Sequence, residues 1–388
     1  MTYQGSFLTV MQSKESLRWM TYVGLLLCIL TANFTLVAGV HAAQYVRVEG
    51  KEVCLVTGQG FFPVAYRMQN GEIGVVIRGG AMHLGRAGRL DFVKSADEGL
   101  TWSKSVVVLD TGLDDRNPAF GQAQDGTLVV SAFRYDKYTP DGRHDASSKN
   151  PSDVLLVYSR DNGKTWSAPK RFPMRNFAWL SPYGRILTLD DGAMVLHCYG
   201  NAIPLPGDKD IVEDEERNAS YLFRSEDGGQ TWSEPVRIAL DYNETSVIPL
   251  DSKHWVAALR SNVKGQFSAV SHSFDGGKTW TEPVQVTLTS EHPPDLLRLS
   301  DGRILMVFGE RNEPYGVHAL LSSDGGKTWD KEHEFVLVDH ATNSDCGYPS
   351  SVLLRDGRVL TVYYAVGSTK HPDWGVHAGG LIFTPPRF

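Results

Sequence analysis

Eight residues recur five times along the chain, and that recurrence dictates the architecture. SADEGLTW at 95–102, SRDNGKTW at 159–166, SEDGGQTW at 225–232, SFDGGKTW at 273–280 and SSDGGKTW at 322–329 share the pattern Ser-x-Asp-x-Gly-x-Thr-Trp. A unit whose starts lie 48–66 residues apart marks a repeat fold. Each copy sits between two short strand-like runs. Within it, Asp accepts hydrogen bonds from nearby amides and Gly takes positive φ, so the box reads as a tight turn joining two strands. The closing Trp is large enough to fill the gap between neighbouring sheets. The boxes are therefore expected to be structural, and the active site lies elsewhere.

A second repeat sharpens the first. Asn70-Gly71, Asp125-Gly126, Asp191-Gly192, Asp251-Ser252, Asp301-Gly302 and Asp356-Gly357 each lead into an apolar strand. Each marks the turn between the first two strands of a four-stranded unit, and the box closes the last two. Five boxes and six turns predict an all-β, six-bladed β-propeller, the sixth box being lost or its blade completed by the other end of the chain. The length of 388 residues and the 38 glycines suit one turn-rich domain. A net charge of −7 with no basic run excludes a nucleic-acid partner as an expectation.

Residues 1–42 stand apart from this pattern. Lys14 and Arg18 precede an apolar core at 22–30, and Val40-His41-Ala42 resembles a small-residue cleavage site. A signal peptide is expected, with residues 43–388 forming a secreted propeller. The rival is an uncleaved anchor, since residues 19–40 are almost long enough to span a bilayer, and only then does the protein meet a membrane. Beyond residue 42, Cys54, Cys198 and Cys346 remain. An odd number argues against a disulfide framework, which leaves a Cys54–Cys346 pair or buried free thiols. No CxxC or HExxH spacing occurs, so neither a metal nor a cofactor is expected. The acidic stretch 204–216 reads as a solvated loop.

The turns also act as a ruler. Strands rise about 3.3 Å per residue, so residues some eight positions before or after each turn lie at the opposite end, near the central channel. Before the turns these are Phe61/Phe62, Asp115-Arg116-Asn117, Tyr183, Glu244, Pro293 and Tyr348. After them come Arg78, Phe133-Arg134, Tyr199, Arg260, Glu310-Arg311 and Tyr364. Several arginines at one spot repel one another unless an anion is expected there. Guanidinium forks bind carboxylates bidentately, so the set points to an acidic ligand. A Tyr facing a Glu adds a nucleophile and a proton acceptor. A neutral tyrosine can approach an anomeric carbon that already bears a carboxylate, where an anionic Asp or Glu is repelled.

The boxes resemble the Asp boxes of the sialidase (neuraminidase) superfamily of six-bladed propellers, and the resemblance covers most of residues 50–385. Asn243-Glu244 with VAALR at 256–260 resembles the Asn-Glu segment and the second carboxylate-binding arginine of that family. Phe308-Gly309-Glu310-Arg311 resembles its third arginine segment, and Gly347-Tyr348-Pro349 its nucleophile segment. The resemblance implies Tyr348 as nucleophile, Glu244 as its proton acceptor, Arg260 and Arg311 as carboxylate ligands, and Arg78 as a pocket arginine. It fails at two places. The Arg-Ile-Pro motif is replaced by Phe61-Phe62-Pro63, leaving Arg67, Arg116 or Arg134 as stand-ins. The aspartate general acid expected after Arg78 is absent from residues 79–84, where His83 is the one group able to donate a proton near neutrality. The function implied is a secreted exo-acting hydrolase of terminal acidic sugars on glycans. A uronate lyase and a non-catalytic glycan-binding propeller are the alternatives.

Overall fold

The computed structural model describes residues 45–173, 176–205, 217–263 and 265–387; the signal peptide expected at 1–42 and most of the acidic stretch 204–216 lie outside them. Among the described residues there is no α-helix, and the strands form six sheets. Blade one runs Phe61–Arg67, Ile73–Gly79, Arg89–Ser95 and Val106–Leu109, each strand antiparallel to the last. Blades two, four and five repeat that order from Asp114–Gln122, Tyr242–Pro249 and Glu291–Arg298. In blade three the innermost strand breaks into Leu180–Pro182, Gly184–Arg185 and Leu187–Thr188, and Gly184–Arg185 pairs in parallel with blade two.

Blade six lacks a box because its outer strand is not local. Cys346–Leu353, Val359–Ala365 and His377–Phe383 come from the C-terminal end. Gly50–Thr57 adds to them antiparallel, with Gly50 opposite Phe383 and Thr57 opposite His377. The N-terminal strand thus completes the sixth blade as its outermost strand and covers the edge of His377–Phe383. Cys54, Cys198 and Cys346 are free thiols.

The five boxes share one network. In the first, Ser95 Oγ donates to Asp97 Oδ1 at 2.8 Å and accepts from the Gly99 amide at 2.8 Å, while Thr101 Oγ1 donates to Asp97 Oδ2 at 2.6 Å. The glycine two positions before Thr sits at positive φ in all five, as Gly99 does at 88°. Each tryptophan packs into the seam with the preceding blade: Trp102 against blade six, Trp166 against blade one, Trp232 against blade two. Trp280 and Trp329 repeat the contact against blades three and four. Burial of alternating Val, Leu, Ile and Phe in these seams supplies the driving force for stacking the sheets.

The box carboxylates carry a pH signature. Hydrogen bonds, led by the threonine hydroxyl, lower Asp97, Asp161 and Asp275 from 3.8 to about 2. A depressed carboxyl contributes stability above its ordinary value and loses it as pH falls through the folded value. Between pH 3.8 and about 2 the wild type should lose stability as these groups protonate. Asp97→Asn is expected to be less stable at pH 5 and to show a shallower decline through that window, read by urea unfolding at each pH.

Candidate active site

The inner strands do not run straight into the channel. A register shift interrupts the innermost pairing at Phe61/Val64, Arg116/Ala119, Tyr242/Thr245, Glu291/Pro294 and Gly347/Ser350. Such a bulge re-aims the side chains it carries. At three of them a residue before a proline holds positive φ: Phe62 at 53°, Asn117 at 47° and Tyr348 at 48°. Bulky side chains rarely adopt that conformation, and it persists only where surrounding contacts impose it. Here it turns Phe62 and Tyr348 into one aromatic cluster with Phe61, Tyr183 and Tyr364.

Tyr348 and Glu244, 104 residues apart, meet at the centre: Tyr348 Oη donates to Glu244 Oε1 at 2.7 Å. Arg260 Nη1 donates to Glu244 Oε2 at 2.6 Å and to Tyr348 Oη at 3.1 Å, and its Nη2 reaches Gln266 Oε1 at 2.9 Å. Burial, reinforced by the Glu244 charge, pushes the Tyr348 phenol up to about 12. The phenol therefore stays protonated at rest and loses its proton only as an acceptor takes it. Glu244 is hydrogen-bonded to do so, and Arg260 stands ready to share the charge left on the oxygen.

Five other arginines were candidates, and they separate by burial and by partner. Arg311 lies with its guanidinium 5.5 Å from the Tyr348 ring centre, held by the carbonyls of His292 at 3.2 Å and Ser344 at 2.8 Å. It has no carboxylate within ion-pair distance among the described residues. Arg116 lies over Phe62 at 5.5 Å and Tyr135 at 5.7 Å, with Asp114 at 3.6 Å. Arg78 does not line an open pocket. It is wholly enclosed, paired with the equally enclosed Asp114 at 2.6 Å and with the carbonyls of Ala81 and Gly85. Of the stand-ins for the missing arginine, Arg67 pairs with Glu98 near the Asn70-Gly71 turn, at the far end of the blade, and Arg134 pairs with Asp153. Arg116 alone faces the position taken by Phe62. Glu310 also departs from the channel, its carboxylate lying among His318 and Glu334 inside blade five.

His83 reaches the cluster from the loop after Arg78. Its ring meets Phe62 edge-on at 5.1 Å and Phe61 at 6.0 Å. Its Nδ1 contacts Asp345 Oδ1 at 2.7 Å, and Tyr364 Oη donates to the same oxygen at 2.6 Å. Burial opposes the charge on Asp345, but these two bonds outweigh it and hold the carboxyl below its ordinary value. An imidazole anchored this way through Nδ1 presents Nε2 for proton transfer. Sequence reasoning missed Asp345 and Gln266. Asp345 precedes Tyr348 by three residues, but its partner lies 262 positions away, so no local pattern marks the pair.

Residues 89–361 match the BNR repeat-like domain family. A sialidase of Clostridium perfringens is 25% identical over 178 residues, covering 41% of this chain and 44% of its own length. A sialidase of Bacteroides fragilis is 26% identical over 305 residues, covering 70% of this chain and 53% of its own. The chain thus spans about half the length of these curated relatives. Among solved structures, a protein of unknown function from Dyadobacter fermentans superposes with a TM-score of 0.72 at 24% identity, over 87% of this chain and 99% of that one. A sialidase of Streptococcus pneumoniae does so at 0.63 and 12% identity, over 88% of this chain and 70% of that one. Boxes, blades and sequence agree: the chain belongs to the BNR repeat-like domain family, within the sialidase propeller superfamily.

Proposed function

We propose that this protein is a retaining glycoside hydrolase that releases a terminal acidic sugar, sialic acid or a relative, from glycans outside the cell. The observation that carries the reading is the bond of 2.7 Å between Tyr348 Oη and Glu244, braced by Arg260. In the first step Tyr348 Oη attacks the anomeric carbon as the bond to the leaving oxygen breaks. Glu244 takes the phenolic proton, and His83 donates a proton to the leaving oxygen. In the second step water attacks the same carbon from the vacated face and gives its proton to His83. The tyrosyl bond breaks as the bond to water forms, and Glu244 returns the proton to Tyr348. Arg311, without a carboxylate partner among the described residues, is the anchor for the sugar carboxylate, with Arg116 beside the aromatic surface that replaces the first arginine. The leader at 1–42 supports export, as a cleaved signal peptide.

The deciding assay is release of fluorophore from an α-sialoside by the purified protein. Turnover supports the reading. A folded protein that releases nothing from sialosides overturns sialic acid as substrate, and growth of ultraviolet absorbance on a uronate polymer points to a lyase instead. For His83→Ala we expect kcat to fall about 10²–10⁴-fold on a natural alkyl glycoside, the range typical of a lost general acid. The loss should be far smaller with a phenolic leaving group that needs little protonation. Equal losses on both substrates would exclude His83 as the acid.

A further inference from the structure

Blade six is closed by a strand from the other end of the chain, and a second polar cluster sits where that closure is made. Glu52 belongs to the closing strand, His340 follows the outer strand of blade five, and His371 lies in the loop between the last two strands. His371 Nε2 bonds Glu52 Oε2, and His340 Nε2 faces Glu52 Oε1 at 3.6 Å. The three ligand atoms lie within 4.8 Å of one another. His340 is 7% exposed, and its Nε2, aimed into the cluster, has no hydrogen-bond partner. A buried polar atom left in that state costs free energy unless a ligand satisfies it.

We propose that Glu52, His340 and His371 form a site for a divalent transition cation, Zn2+ by ligand type, which clamps the ring closure. Donors at about 2.0–2.2 Å around a tetrahedral zinc lie about 3.4 Å apart, close to the 3.6 Å seen here between His340 and Glu52. Two histidines and one carboxylate are a known zinc ligand set that leaves a fourth position for water. The surroundings hold both rings. His340 Nδ1 contacts Ser368 Oγ at 2.9 Å, as the outer nitrogen of a metal-bound histidine contacts a polar partner, and the His371 ring stacks on Trp374 at 4.0 Å. Lys370 Nζ contacts Glu52 Oε1 at 2.7 Å, but its side chain is 57% exposed and swings into water when a cation takes that oxygen. Its three residues come from three separate segments, so no short sequence motif marks the cluster.

The test uses the full chain, stripped with a chelator and titrated with Zn2+ against a chromophoric competitor. We expect about one tight equivalent, neither Ca2+ nor Mg2+ competing, and a higher unfolding temperature with Zn2+ than without. His371→Ala, at a half-buried position, should lose the equivalent. Ser368→Ala should weaken it about 10–100-fold, the usual effect of removing such an outer partner. The exposed Lys370→Gln, which leaves the fold intact, should bind as tightly or more so. No tight equivalent in wild type and Lys370→Gln, or uptake unchanged in His371→Ala, overturns the proposal.

Discussion

Tyr348→Phe should fold as the wild type does and lose turnover by a factor on the order of 10⁴, as expected when a covalent nucleophile is removed from a working acid–base set. The substitution removes a single oxygen. The ring still fills its place against Phe62 at 4.8 Å and Tyr364 at 5.7 Å, so the channel keeps its shape. Glu244 keeps its bond to Arg260 and is not left as an uncompensated buried charge. Ligand binding should therefore persist, and the collapse should fall on kcat rather than KM. Fluorophore release and titration with an acidic sugar, performed on the same preparations, check both halves. Equal binding with no turnover in either protein would identify a lectin. Unchanged turnover in the variant would remove Tyr348 from the mechanism.

The second large effect is on stability. Arg78 and Asp114 are completely enclosed, with Tyr138 Oη donating at 2.5 Å to the other oxygen of Asp114, which Arg116 also faces at 3.6 Å. Removing one member of a buried pair strands the other charge away from water, so Asp114→Ala should cost about 3–5 kcal/mol in urea unfolding. The paired replacement Arg78→Met with Asp114→Leu removes both charges and should recover much of that loss. It also separates two roles for Arg78. If Arg78 acts through the fold, the double variant retains its KM. If Arg78 reaches the sugar, KM rises sharply while stability recovers.

The repeat was fully legible in the sequence because its parts are local. A box encodes its own turn: Ser, Asp, Gly and Thr satisfy one another within seven residues, whatever the rest of the chain does. The Asn70-Gly71 and Asp-Gly turns likewise mark their own hairpins, and strand rise then places the far ends near the channel. That reasoning selected Tyr348, Glu244, Arg260 and Arg311, and the family resemblance added His83; the fold gathers all five around one aromatic cluster. It equally selected Arg78 and Glu310, which the fold turns away into enclosed pairs.

The difference between those outcomes lies in features that no local pattern carries. Strand periodicity assigns a side chain to a face, but a bulge one residue long changes where it points, and five inner strands carry one. Partnership across blades depends on the order in which the ring closes. Thus His83 finds Asp345, and Glu52 finds His371, across most of the chain. Sequence alone determined the number of blades, the position of each turn and the end at which the candidate site lies, because short-range hydrogen bonding and side-chain alternation suffice for these. The tertiary structure decided which charges face the channel and which are paired off, because that depends on burial and on partners brought together only by closing the ring.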